Sequence, residues 1–105
     1  MFIQPQLDLL KDCWLTNVTC VPRITLELFF LSKDQFSNYS GVARRFRLIA
    51  TELNYVHFRR VGTLTQLPIC QGIEMKLRDK TVQTLIRFDF GSIDAESSTI
   101  HLFES

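Results

Sequence analysis

Residues 32–60 constrain the fold most, because their apolar side chains recur at steps of three and four. At 100° per residue, six of them converge on one side of a helix: Val42, Phe46, Ile49, Ala50, Leu53 and Val56. Residues 32–35 have the spacing of a capping box, and Gly62 stands where a C-terminal cap belongs. The pattern predicts one long amphipathic helix.

Period-two alternation on either side of this segment indicates strands. Residues 23–31 alternate, with Phe29 and Leu31 facing away from the main apolar face, so this strand is expected to be covered on both sides. Residues 73–77 and 82–90 alternate across a polar turn and predict an antiparallel hairpin. A loop over 91–98 and a last strand or edge segment over 99–103 complete the chain.

The N-terminal part favours a short amphipathic helix, because Leu7, Leu10, Trp14 and Val18 follow a helical spacing. The expected fold class is therefore α+β. An antiparallel sheet of three to four strands packs on one long helix, with the short N-terminal helix beside it, as a two-layer sandwich. We expect residues 1–105 to form a single interaction domain and to be a fragment of a longer protein.

The charge balance narrows the classes of partner. Twelve Lys and Arg against eleven Asp and Glu give a formal net charge of +1, which argues against a dedicated nucleic-acid binder or a protein of anionic membranes. The longest apolar run, residues 28–31, is far shorter than the roughly 20 residues that cross a bilayer. We expect a protein partner, no membrane contact and reduced cysteines.

No group of residues has the spacing of a catalytic or metal site. The two histidines, His57 and His101, lack a Cys, Asp or Glu at a motif spacing, and the three cysteines form no C-x-x-C pair. Glycine-rich phosphate loops are also missing from the sequence. We therefore expect no enzyme activity, no cofactor and no bound metal.

The predicted helix carries a second stripe that could bind a partner. Leu48 and Tyr55 project away from its main apolar face, Phe58 points near them, and Arg44 and Arg59 lie around them. Apolar side chains flanked by charge are typical of an interface, so these five are the candidate partner-binding residues. Two alternatives remain: the N-terminal helix covers the stripe, or a partner strand adds to a sheet edge at residues 99–103.

Arginines also support a different class of function. Five of them fall in the predicted helix or at its end: Arg44, Arg45, Arg47, Arg59 and Arg60. An arginine stripe of this kind could bind RNA or another phosphate ligand, and Phe88 and Phe90 alternate on a strand as base-stacking aromatics do. A small RNA- or phosphate-binding domain is the alternative to a protein-interaction module.

Residues 47–56, RLIATELNYV, resemble the long helix of the C-terminal RWD-type domain in outer-kinetochore scaffold proteins (blinkin type, of the KMN network). Residues 24–31, 72–77 and 84–90 stand in a matching order around it. The resemblance implies an RWD domain, which is a helix-flanked antiparallel sheet. It also implies a docking module that attaches the scaffold to the centromere-proximal complex of its network during chromosome segregation. The implied location is the nucleus, at the centromere and kinetochore of the chromosome.

Overall fold

The computed structural model describes residues 7–32, 44–60, 68–89 and 91–104, and they form an all-β fold. Six strands follow a short 3-10 turn at Asp8–Leu10. Their bounds are β1 Trp14–Val21, β2 Thr25–Leu31, β3 Arg45–Arg60, β4 Cys70–Leu77, β5 Val82–Phe88 and β6 Gly91–Glu104. All pairings are antiparallel, in the order β1-β2-β3-β6-β5-β4.

The two long strands, β3 and β6, divide this sheet into two layers. Residues 45–51 of β3 pair with β2, whereas residues 91–97 of β6 pair with β5. The first layer therefore contains β1, β2, the first half of β3 and the second half of β6. The second layer contains the other halves of β3 and β6 together with β5 and β4.

The sheet bends between the layers, and the inner faces of the layers meet in one core. Glu52 takes a left-handed conformation with φ 56°, and Asn54 is an extra residue in β3 opposite β6. Such bulges bend a strand and increase its twist. Leu26, Leu48 and Ile100 of the first layer meet Ile86 and Ala95 of the second around a void of about 10 Å³.

The edge strands β1 and β4 also meet, at one corner of the sheet. The Asp12 amide donates to the Cys70 carbonyl at 2.7 Å, and the Cys70 amide donates to the Cys13 carbonyl at 2.8 Å. Leu7 and Leu10, at the 3-10 turn, are fully buried beside this corner. The core therefore continues from the two layers to the turn that precedes β1.

The prediction of a long helix over 32–60 is wrong, because residues 45–60 are strand β3. The inward positions of β3 are 46, 48, 50, 53, 56 and 58. The first four are buried, and Val56 and Phe58 lie opposite the buried residues Ala95 and Ile93 of β6. The bend at Glu52 and the extra residue Asn54 lengthen two of the steps from two residues to three. A bent, bulged strand therefore produced the spacing that we interpreted as helical.

The fold class is corrected accordingly from α+β to all-β, because the described residues form one six-stranded antiparallel sheet and not the helix-flanked sheet of an RWD domain. The expected N-terminal helix is a single 3-10 turn followed by β1, and the expected loop at 91–98 belongs to β6. The strand over 23–31 and the hairpin after residue 73 are confirmed as β2 and β4–β5. Most of the capping box and the C-cap at Gly62 lie outside the described residues.

One buried hydroxyl leads to a stability prediction. Thr84 on β5 is 4% exposed, and its Oγ1 has no hydrogen-bond partner in the part of the chain that the structure describes. Burying a hydroxyl without a partner costs free energy. We expect Thr84→Val to raise the free energy of unfolding by about 1 kcal/mol, measured by urea denaturation.

The matched control for this prediction is Thr81→Val. The Thr81 hydroxyl donates to Glu96 at 2.7 Å, so its loss removes a hydrogen bond and gives no stabilisation. A Thr84→Val protein less stable than the wild type would contradict the inward orientation of this hydroxyl.

Candidate docking groove on the outer face

Leu48, the first of the five candidate partner-binding residues, belongs to the core. It is 2% exposed and lies opposite Leu28 on β2 and Leu102 on β6. In the predicted helix, the Leu48 side chain points away from the main apolar face. In strand β3, it points into the core together with Phe46 and Ala50. The prediction that Leu48 contacts a partner is therefore corrected.

Tyr55 is half-buried on the outer face of the second layer, within a polar network. The Gln83 amide donates to the Tyr55 hydroxyl at 2.9 Å, and that hydroxyl donates to Asp94 at 3.4 Å. Burial raises the pKa of Tyr55 above its ordinary value, and the negative charge of Asp94 raises it further. The Tyr55 hydroxyl therefore stays protonated at neutral pH and links three strands.

Phe58 and Arg59 lie near the end of β3, on opposite faces of the sheet. Phe58 pairs with the inward-facing Ile93 but is 55% exposed, and Arg59 pairs with Ser92 and is exposed. Arg44 lies beyond the other end of β3. The structure therefore does not bring the five candidate residues together on one surface.

Arg44 forms a two-point ion pair with Glu104. Its Nε donates to Glu104 Oε2 at 2.9 Å and its Nη2 donates to Oε1 at 2.8 Å. This hydrogen bonding lowers the pKa of Glu104 below its ordinary value. The guanidinium carbon also lies 5.1 Å from the ring centroid of Phe46, so Arg44 is already engaged within the chain.

A different surface emerges on the outer face of the first layer. The strand register places Asn17, Phe29, Arg47 and Phe103 in one row across β1, β2, β3 and β6. Directly opposite residues of antiparallel strands share a face, so these four side chains are neighbours. The Arg47 guanidinium carbon lies 5.3 Å from the ring centroid of Phe103, within the range of a cation–π contact.

This row forms part of a groove of about 580 Å³. Its lining comes from all four strands of the first layer and includes two core residues, Phe30 and Phe46. The other lining residues are Thr16, Asn17, Phe29, Leu31, Arg45, Arg47 and Phe103. We call it the docking groove. Thr16 is an extra residue in β1, and its hydroxyl donates to the Phe29 carbonyl at 3.1 Å, so a bulge fixes the β1 side of the groove.

The charge in the docking groove is positive. Arg45 and Arg47 are both exposed, and no acidic side chain is among the lining residues. Among the described residues, neither arginine forms an ion pair, whereas Arg44 and Arg87 do. Phe103 is 47% exposed beside them. The groove therefore offers apolar area and two guanidinium groups on hydrogen-bonded strands.

Part of this site was visible in the sequence. Phe29 and Leu31 alternate with the buried residues of β2, which had indicated a second covered face. Arg45 and Arg47 likewise alternate with Phe46 and Leu48, but the helical interpretation hid that signal. No local pattern indicated a role for Phe103, because only the long-range pairing of β6 with β3 places it beside Arg47.

The described residues include neither a metal-binding cluster nor a membrane-spanning helix. Within residues 7–32, 44–60, 68–89 and 91–104, no group of three or more His, Cys, Asp or Glu side chains could hold a metal ion. Nor do these residues contain a helix that is long and apolar enough to span a membrane.

Comparisons with protein families, with curated proteins and with solved structures find no match to this chain.

Proposed function

We propose that this domain is a non-catalytic protein-interaction module whose partner binds in the docking groove. The observation that carries the proposal is the exposed Phe103 ring beside Arg47 in a groove of about 580 Å³. Aromatic and arginine side chains are enriched at the energetic centres of protein interfaces. Placing them on strands limits the entropy lost on binding, because the backbone is already ordered.

The kinetochore partner remains a finer prediction, which comes from the sequence resemblance alone. The described residues form an all-β sheet instead of the fold that the resemblance implied, so the docking groove replaces the helix stripe as the expected contact surface. The centromere-proximal complex of the kinetochore is accordingly the first partner to test. Nuclear localisation depends on the same resemblance and stays a prediction.

Binding of single-stranded RNA is the second candidate function. Phe29 and Phe103 flank Arg47 on one sheet face, and sheet-based RNA binders stack bases on aromatics in such positions. However, only Arg45 and Arg47 among the lining residues are cationic, and the chain carries a net charge of only +1. Backbone tracking by single-strand binders requires a groove with more positive charge.

The test compares the wild-type domain with Phe103→Ala in capture from cell extract and in titration of purified partners, beginning with the kinetochore complex. We expect partner affinity to fall about tenfold or more, as for an interface anchor. Leu77→Ala is the matched control, because Leu77 is 54% exposed but lies at the end of β4 in the other layer.

Equal capture of every protein by the Phe103→Ala and wild-type domains, with both domains folded, would contradict docking in this groove. Thermal melts followed by circular dichroism establish the folding. If a partner instead bound the wild-type domain but not Leu77→Ala, the interface would lie on the second layer.

A further inference from the structure

The dimensions of the docking groove fit a short extended segment. The groove crosses four strands, which at about 4.8 Å between neighbours gives a span of about 14 Å. An extended chain covers that distance in about four residues at roughly 3.3 Å each. A short segment of a partner can therefore cross the groove from β1 to β6.

The lining chemistry divides the groove into two parts. Phe29, Leu31 and Phe103 supply apolar surface, and Arg45 and Arg47 supply cations on the same face of β3. Two residues apart on a strand, the arginine backbones are separated by roughly 6.6 Å, so one anionic group can approach both guanidinium forks. Neither guanidinium forms an ion pair within the described part of the chain, so each can bind an anion through its planar array of N–H donors.

From this complementarity we infer that the docking groove takes an extended acidic segment of a partner protein. A carboxylate of the segment lies between Arg45 and Arg47, and a neighbouring apolar side chain packs against Phe103. The inference rests on the proposed function and adds the chemistry of the partner.

One acidic group near the groove favours a peptide over a nucleic acid. Glu27 lies two residues from Phe29 along β2 and therefore on the same face of that strand. Its carboxylate repels a phosphate backbone that extends past the arginines, whereas a single acidic side chain between the arginines brings only one negative charge near it. The apolar part of the groove also suits a side chain such as Phe or Leu.

The experiment selects randomised octapeptides, displayed on phage, against the immobilised wild-type domain and against the double variant Arg45→Gln/Arg47→Gln. We expect wild-type selections to enrich Asp and Glu at least about threefold, next to an aromatic or aliphatic residue. The double variant should lose the acidic enrichment and keep the apolar one. Lys76→Gln, which removes an exposed charge in the second layer, should select the same peptides as the wild type.

Direct binding then uses the most enriched peptide, labelled with fluorescein, and a labelled uridine decamer. Fluorescence anisotropy should show that the double variant binds the peptide at least about tenfold more weakly, with the uridine decamer weaker than the peptide on the wild type. Selections without acidic enrichment, equal peptide binding by the double variant, or tighter binding of the decamer would each overturn the inference.

The outcomes also separate this inference from the proposed function. A partner whose binding falls with Phe103→Ala but not with Arg45→Gln/Arg47→Gln would retain the docking groove and reject the acidic segment. If neither Phe103→Ala nor Arg45→Gln/Arg47→Gln weakened binding of the partner, both the groove and its proposed occupant would be rejected.

Discussion

Replacing Leu48 with alanine is expected to lower the free energy of unfolding by about 2–5 kcal/mol, the usual cost of truncating a buried leucine. Leu48 is 2% exposed and lines the contact between the two layers, next to Leu28 and Ala50. The truncation removes apolar burial and leaves a cavity that the paired strands cannot close. Urea denaturation followed by circular dichroism measures the effect as a lower midpoint at unchanged slope.

Arg45→Ala is the control, because Arg45 is exposed on the other face of the same strand. We expect it to change the free energy of unfolding by no more than about 0.5 kcal/mol. If Leu48→Ala lowered the free energy of unfolding by no more than Arg45→Ala does, the inward face of β3 would be wrongly assigned. That outcome would favour the helical projection, in which Leu48 points away from the core.

Cys70 should react with iodoacetamide far more slowly than Cys20 in the folded protein. Cys70 is fully buried, and this burial raises the pKa of its thiol to about 12, whereas Cys20 is exposed. The thiolate is the reactive form, so at pH 8 a pKa about three units above the ordinary value lowers the reactive fraction of Cys70 roughly 10³-fold. Cys13 is also buried and should be protected with it.

Mass spectrometry of protein digested after timed alkylation gives the rate at each cysteine. In concentrated guanidinium chloride, the three thiols should react at similar rates, because unfolding removes the burial. Alkylation of Cys70 as fast as Cys20 in the folded state would show that the corner between β1 and β4 is open. The result therefore tests the contact that closes the sheet as well as the chemistry of one thiol.

Local patterns predicted the strands whose pairing is also local. In β2, burial alternates residue by residue from Leu26 to Phe30, so the period-two signal was complete within seven residues. The β4–β5 hairpin needed only two alternating runs and the polar turn between them. In these elements, each side chain's environment follows from its own position along the strand.

β3 could not be predicted in this way because its bend belongs to the tertiary structure. Glu52 and Asn54 interrupt the regular alternation of inward and outward side chains where β3 passes from one layer to the other. Inward residues at 50, 53 and 56 are then three apart, a spacing that a helix also produces. Only the pairing of β3 with both β2 and β6 distinguishes the two interpretations.

The docking groove shows the same division between local and long-range information. Its row joins Asn17, Phe29, Arg47 and Phe103, which are far apart in the chain and meet only through the register of three strand pairs. The sequence by itself determined an alternating β2, the β4–β5 hairpin, and arginines interleaved with apolar residues. The tertiary structure decided which face each of those residues occupies, because a bulge that shifts the register by one residue exchanges the buried and exposed sides of a strand.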